Sequence, residues 1–158
     1  MSEQRVALDY ANSIAFDLQK AFWDERGKGA RFRLTTVGRD YFQKRCLACI
    51  EGRAVGPIVQ ELGRILQGEG IISSLSADED GRLLRLRVDG CLHRPIEARF
   101  AAEGVEPLVC VPANLVALAV EQRLNRPVEL AEARLAGGAC ELLLVVFEER
   151  PEPGRGAP

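Results

Sequence analysis

The sequence predicts an α+β domain in which an antiparallel sheet of about four strands is covered by helices on one face. Amphipathic patterns with a helical period predict three helices within residues 4–66. Two later segments alternate in hydrophobicity, and each is folded at a short turn that contains glycine, which is typical of a β-hairpin. Because strands joined by tight turns pair antiparallel, the two hairpins indicate an antiparallel sheet.

A long N-terminal helix is predicted from Gln4 to Trp23, because large apolar residues recur there at intervals of four. These residues form a stripe of Tyr10, Ile14, Leu18 and Phe22. Small residues beside the stripe would let another helix approach closely, and they are Ala7, Ala11 and Ala15. We expect the stripe to pack across the domain or across the twofold axis of a homodimer. Gly27 and Gly29 end the helix.

Two further helices are predicted before the sheet begins. A short extended piece, Phe32 to Thr35, leads to a helix from about Arg39 to Glu51. The spacing of Cys46 and Cys49 in this helix matches half a zinc site or a redox pair, but the apolar surroundings favour core packing. A third helix carries Ile58, Leu62, Ile65 and Leu66, and Gly68 and Gly70 mark its end.

The rest of the chain predicts the two hairpins and the helix between them. The first hairpin has strands Ile71 to Leu75 and Leu83 to Val88, joined by a five-residue turn from Ala77 to Gly81. A short helix is expected beyond Pro95, and a better patterned one runs from about Pro112 to Leu124. The second hairpin has strands Val128 to Leu135 and Cys140 to Phe147 around Gly137 and Gly138.

Composition limits the kinds of protein to which the chain can belong. With 158 residues, 47% hydrophobic and 28% charged, the chain predicts one domain over residues 1–148 and a disordered tail over 149–158. The formal charge of −2 gives no reason to expect binding to nucleic acid. No secretory signal and no membrane span is evident, which predicts a cytoplasmic protein. In that reducing compartment the five cysteines are expected to be core, metal or redox residues rather than disulfides.

Short glycine and cysteine motifs carry a resemblance to a known family. They are Gly52 to Gly56, Gly68 to Gly70, Leu84 to Cys91, Cys110 before a helix, and Gly137 to Cys140 before the last strand. Over residues 40–148 the chain resembles the 4-vinyl reductase family, whose fold is shared with small subunits of the TRAPP vesicle-tethering complexes. The family includes sensory domains for aromatic molecules and a factor linked to bacteriochlorophyll vinyl reduction.

The resemblance implies a structural zinc ion held by Cys110, Glu129 and Cys140, with Glu132 standing where the aromatic sensors have another cysteine. On a regular strand Glu129 and Glu132 would face opposite sides, so a bulge would be needed for both to reach one ion. Two other interpretations stay open. In the first, the cysteines are ordinary core thiols. In the second, they bind an iron–sulfur cluster, because the trio of Cys91, Cys110 and Cys140 resembles the C-terminal region of certain iron–sulfur-sensing repressors.

The leading functional hypothesis is a non-catalytic sensory or accessory domain that binds a small apolar or aromatic molecule. Its pocket is expected near Phe100, Leu108, Leu115 and Phe147. The alternatives are a protein-interaction subunit of the TRAPP type and a factor acting on a tetrapyrrole vinyl group, which rests on the family name. No set of nucleophile, histidine and carboxylate is recognisable, and His93 is expected in an exposed turn.

Overall fold

The computed structural model describes residues 6–105 and 109–151, and for residues 31 and 32 it describes the backbone alone. The helices in chain order are α1 Leu8–Arg26, α2 Ala30–Arg33, α3 Arg39–Tyr41, α4 Val55–Gly68, α5 Arg94–Ala102 and α6 Val111–Leu124. The strands are β1 Ser74–Asp80, β2 Leu83–Asp89, β3 Val128–Ala136 and β4 Ala139–Val146. Among the described residues, no helix has the length and apolar character needed to cross a bilayer.

The four strands form one antiparallel sheet in the order β1-β2-β4-β3, so the two hairpins lie side by side. Residues directly opposite each other on paired strands share a face. The pairs Leu84↔Leu144, Leu86↔Leu142 and Val88↔Cys140 therefore define an inner face, and all six of these residues are buried. The outer face carries Arg85, Arg87 and Glu141. The predicted fold class, with helices on one face of a four-stranded antiparallel sheet, is confirmed.

Helices α4 and α6 cover the inner face and make the main core. In α4, Gly63 lies against Leu75 of β1, where an added methyl group would just reach van der Waals contact. In α6 nearly every residue from Pro112 to Val120 is buried, because the helix is enclosed by the sheet, α4 and the segment that follows α3. A helix that is apolar on all sides is expected at such an enclosed position.

A second, smaller core attaches α1 to α5. It contains the buried residues Phe16, Ala30, Ile96, Phe100 and Val109. The ring centroids of Phe16 and Phe100 lie 4.8 Å apart, and the Arg99 guanidinium stacks 3.7 Å from the centre of the Phe16 ring. In the predicted stripe, Tyr10, Ile14 and Leu18 are exposed, whereas Phe22 is partly buried against the smaller core. The expectation that this stripe packs across the domain is therefore wrong for its first three residues and holds only for Phe22, because α1 is held mainly through Phe16 on another side of the helix.

Three local expectations also differ from the structure. The segment predicted to be extended, 32–35, begins inside α2, whose first residue Ala30 is buried in the smaller core. The second predicted helix exists, but its winding changes along its length, from α3 to a wider π-helical turn at Phe42–Cys46 and then to a tighter 3₁₀ turn at Leu47–Cys49. Strand β1 extends to Asp80, so the first hairpin turns within two residues rather than five. Its acidic residues are tolerated because β1 is an edge strand with exposed side chains.

Candidate functional site

A cleft of about 500 Å³ opens between α6, β3 and residues 34–39. We call it the α6–β3 cleft. Its apolar lining includes Leu34, Ala113, Ala117, Leu118, Leu130 and Leu144. Polar residues also line it, namely Thr35, Thr36, Arg39, Asn114, Glu121 and Glu129. This combination of apolar walls and a few polar groups is characteristic of sites for small molecules, and the volume lies in their usual range.

The wall opposite the sheet is held in place by Asn114, a buried polar residue of α6. Its side-chain amide donates hydrogen bonds to the carbonyls of Leu34 and Val37, at 3.0 and 3.1 Å. Gly38 then turns the chain with φ of 102°, and a methyl group there would approach Leu115 to 3.1 Å. On the sheet side, the Glu121 carboxylate accepts the backbone N–H of Val128 at 3.1 Å. The cleft is therefore bounded by segments that are hydrogen-bonded in place.

Of the residues predicted to line a pocket, Phe100, Leu115 and Phe147 do not line this cleft. Phe100 is fully buried in the smaller core, and Leu115 is fully buried in the main core. Phe147 is half-buried just beyond β4 and donates its backbone N–H to Pro127. Leu108 lies outside the described residues. The pocket found between sheet and helices is thus built from other side chains.

The predicted zinc ligands do not converge either. The ladder between β3 and β4 shifts at Ala131, and this bulge places Glu129 opposite Val145 and Glu132 opposite Leu143. Both glutamates consequently lie on the outer face, whereas Cys140 lies on the inner face opposite Val88. The bulge that the sequence argument required is present, but it brings the two carboxylates together on the side of the sheet away from the thiol.

Cys110 and Cys140 are instead joined by Cys91 and Glu97. We call these four residues the thiol–carboxyl cluster. Each is buried, with exposures of 7% for Cys91 and 3% for each of the other three. Cys91 follows β2, Glu97 lies in α5, Cys110 precedes α6, and Cys140 lies near the start of β4. The Cys140 thiol donates a hydrogen bond of 2.8 Å to the Glu97 carboxylate.

Burial dominates the acid–base behaviour of the cluster. It raises the pKa of Cys140 well above the ordinary thiol value, and the Glu97 hydrogen bond and charge raise it further. Burial likewise raises the pKa of Cys110, and the charges of Glu97, Cys91 and Cys140 add to the effect. The pKa of Cys91 is raised by burial and, to a smaller extent, by Glu97. The three thiols are therefore protonated at neutral pH.

Opposing effects act on the pKa of the Glu97 carboxyl group. Burial raises its pKa, while the hydrogen bond from Cys140 and the charge of Arg94 lower it. Arg94 donates from Nη2 to the Gly137 carbonyl, but its buried Nε atom contacts no acceptor among the described residues. An unpaired buried donor of this kind is uncommon and costs free energy. His93, predicted in an exposed turn, is only partly exposed, and burial lowers its pKa.

Over residues 6–105 and 109–151, no group of three or more His, Cys, Asp or Glu side chains is placed so that it could hold a metal ion. The spacing of Cys46 and Cys49 does not create a site, because Cys46 is fully buried in the main core and Cys49 is exposed. The expectation of core packing is therefore confirmed for Cys46 and wrong for Cys49.

Glu97 was missed by the sequence argument, although the sequence contains a signal for it. The buried residues of α5 are Ile96, Glu97 and Phe100, and Glu97 lies three positions before Phe100 on the apolar side of the helix. A carboxylate on an apolar helical face is rarely buried without a partner. That placement indicates a buried polar contact, but only the tertiary structure identifies Cys140 as the partner.

Two comparisons with known proteins complete the description of the site. No protein-family model matches the chain. The search of curated proteins likewise gave no match. The resemblance to the 4-vinyl reductase family consequently rests on the short motifs quoted from the sequence.

Proposed function

We propose that this chain is a non-catalytic domain that binds a small, largely apolar molecule in the α6–β3 cleft. The observation that carries the proposal is the cleft itself, with its volume of about 500 Å³ and its mainly aliphatic lining. Sites for drug-sized ligands enclose roughly 300–1,000 Å³ and place a few polar groups among apolar walls. A sensory or accessory role is what the resemblance to the 4-vinyl reductase family implies for such a site.

The lining favours a ligand with a flat or aliphatic body and one anionic or hydrogen-bond-accepting group. Ala113 and Ala117 leave room beside α6, and Leu118 and Leu144 supply apolar contacts. Arg39 is exposed at the cleft and is the cation among its described lining residues. A guanidinium can bind a carboxylate or sulfonate through two parallel hydrogen bonds. The proposed ligand is therefore an aromatic or aliphatic molecule with one acidic group.

The probe for this proposal is 1-anilinonaphthalene-8-sulfonate, an aromatic anion whose fluorescence rises in apolar surroundings. We expect saturable binding of one molecule per chain. The variant Ala117→Phe fills the cleft and should abolish it, whereas Ala98→Phe places the same ring on an exposed position of α5 and should leave it intact. Equal binding by the two variants would refute the cleft as the site. Native mass spectrometry of the purified protein would then identify any small molecule that the cleft retains.

A second proposal, homodimerisation through α1, is favoured by the exposed stripe on that helix. Tyr10 is 65% exposed, Ile14 43% and Leu18 68%, which is unusual for large apolar side chains aligned on one helix face. In an antiparallel pair of α1 helices centred on Ile14, Tyr10 would face Leu18 of the second copy. The stripe is thus self-complementary, as a twofold interface requires.

Light scattering over a range of concentrations tests the dimer. A contact made mainly by one pair of helices is small, so we expect dissociation in the micromolar range. Leu18→Glu should make the protein monomeric, and Ser13→Glu, which adds the same charge off the stripe, should not. A wild-type protein that stays monomeric at high micromolar concentration would exclude the homodimer and favour a different protein partner, as in the TRAPP-like alternative.

A further inference from the structure

A second pocket, of about 330 Å³, lies at the end of the sheet where the turn between β1 and β2 meets the start of α4 and the ends of α6 and β4. Three arginines from separate segments line it: Arg53 precedes α4, Arg82 lies in the β1–β2 turn, and Arg126 follows α6. We call it the arginine pocket. Among the described residues it has no lining residue in common with the α6–β3 cleft, so the inference does not depend on ligand binding there.

We propose that the arginine pocket binds a small phosphate monoester that also carries hydroxyl groups, which is the chemistry of a sugar phosphate. A phosphate monoester has close to two negative charges at neutral pH and three strong acceptor oxygens. Guanidinium groups bind such oxygens through charge-assisted hydrogen bonds. The volume of the pocket lies at the lower end of the range for small-molecule sites, which suits a ligand of this size.

The guanidinium of Arg126 is held in a fixed position at the pocket. Its Nε donates to the Phe147 carbonyl at 2.7 Å and its Nη2 to the Val146 carbonyl at 3.4 Å. Both acceptors are neutral, and over residues 6–105 and 109–151 no carboxylate is paired with Arg126. Because a partly buried charge is usually paired, this guanidinium favours an anion as its partner. The two bonds leave further N–H donors for that anion.

Arg82 and Arg53 supply the other two positive charges. The Arg82 guanidinium contacts the Glu148 carboxylate at 2.5 Å, so Arg82 and Arg126 both bind the chain segment 146–148. The side chains of Arg82 and Glu148 are 58% and 79% exposed, and such a pair contributes little to stability. A phosphate can therefore replace this carboxylate. Arg53 is exposed and has no hydrogen bond or ion pair with any described residue.

The start of α4 adds a smaller contribution of the same sign. Ala54 and Val55 line the pocket, Ala54 provides no side-chain cap, and the first turn of α4 contains no acidic residue. The first N–H groups of a helix lack acceptors within the helix and favour an anion nearby. This effect supplements the charges of the three arginines.

Two carboxylates at the pocket favour a hydroxylated ester over a bare phosphate ion. Glu79 and Glu149 line the pocket and are exposed, and within the described part of the chain neither forms an ion pair. They repel a phosphate ion but can accept hydrogen bonds from hydroxyl groups. Together with Asp80 and Glu148 they also disfavour the anionic surface of a bilayer, which makes a soluble ester the expected ligand rather than a lipid headgroup.

The test is isothermal titration calorimetry of the full-length protein with ribose 5-phosphate, inorganic phosphate and ribose as probes. We expect saturable binding of one ribose 5-phosphate per chain, weaker binding of inorganic phosphate, and none of ribose. Since the main contacts join opposite charges at a solvent-accessible site, binding should weaken as the salt concentration rises.

Matched variants assign the binding to the pocket. Arg53→Ala should weaken binding of ribose 5-phosphate about tenfold, since a hydrogen bond between charged groups commonly contributes that much. The variant should fold normally because Arg53 contacts no described partner, and circular dichroism would check this. Arg64→Ala removes the same charge from an exposed position of α4 outside the pocket and should bind like the wild type. Glu79→Gln should strengthen binding of inorganic phosphate and narrow the preference for the ester.

Three results would overturn the proposal. Absence of saturable binding of both phosphate compounds would leave the pocket as a solvated part of the surface. Equal weakening by Arg53→Ala and Arg64→Ala would show only a general attraction between the protein and anions. Binding to vesicles that contain phosphatidic acid, without binding of ribose 5-phosphate, would assign the arginines to a lipid headgroup instead.

Discussion

Cys46 is predicted to make the folded state less stable at alkaline pH, because its thiol is fully buried. Burial raises the pKa of Cys46 from 9.0 to about 11, and the charges of Cys49 and Glu69 contribute in the same direction. At about pH 8 the thiol is protonated in both the folded and the unfolded chain. Between pH 9.0 and about 11 the unfolded chain loses this proton and the folded chain keeps it, so unfolding becomes more favourable.

The magnitude follows from the separation of the two pKa values. A difference from 9.0 to about 11 corresponds to about 3 kcal/mol, since each pH unit is worth about 1.4 kcal/mol. The free energy of unfolding should therefore fall by up to this amount through Cys46 alone as the pH rises above 9.0. The stabilising contribution is fully present below pH 9.0 and is lost as the pH rises through the folded value of about 11.

Urea unfolding of the reduced protein at about pH 8 and about pH 11 would measure this loss. Cys46→Ala removes the titrating group, so its free energy of unfolding should decline less with pH than that of the wild type. The exposed Cys49→Ala keeps the buried Cys46 thiol and removes only a charge contribution smaller than that of burial, so its decline with pH should lie between those of Cys46→Ala and the wild type and closer to the wild type. The other buried thiols are present in all three proteins and cancel in the comparison. A Cys46→Ala variant with the same pH dependence as the wild type would refute the reasoning.

Three further predictions concern stability and accessibility. Phe16→Ala should destabilise the protein by about 3–5 kcal/mol, whereas Tyr10→Ala on the exposed side of α1 should change the free energy of unfolding of the monomer by less than about 0.5 kcal/mol. Gly90→Ala should lower the free energy of unfolding, measured by chemical denaturation, by more than about 1 kcal/mol, because Gly90 has a φ of 63° and the new methyl group would overlap Ser73. Gly56→Ala, whose methyl group would meet open space, should not lower it. In native protein a thiol reagent should modify Cys49 promptly and the four buried cysteines only on unfolding, and rapid modification of all five would contradict the burial described above.

Much of the fold follows from periodicity and turn chemistry. The glycine pair at Gly137 and Gly138 marks the turn between β3 and β4, and the apolar pattern of α6 begins and ends within one residue of the predicted bounds. The apolar stripe on α1 is evident from the sequence, but the sequence does not show whether it faces the core or the solvent. The faces of that helix with Tyr10 and with Phe16 are both apolar, and only the position of Phe100 decides which of them is buried.

The candidate sites were harder to predict, because each depends on contacts between distant segments. The register of β3 against β4 changes at Ala131, and one extra residue moves Glu132 to the other face of the sheet. No local pattern in a nine-residue strand reveals where such a shift occurs. The cleft depends in the same way on Asn114, which fixes Leu34 and Val37 although 77 or more positions separate them in the chain.

Helix α6 connects the thiol–carboxyl cluster to the α6–β3 cleft. Cys110 lies directly before its first residue, and Asn114, Ala117 and Glu121 follow at intervals of four, three and four residues. Residues with this spacing lie along one side of a helix. Asn114, Ala117 and Glu121 line the cleft, so the same side of α6 carries Cys110 at one end and the proposed ligand along the rest. The burial of Cys110 therefore fixes the start of the helix whose same side forms the wall of the cleft.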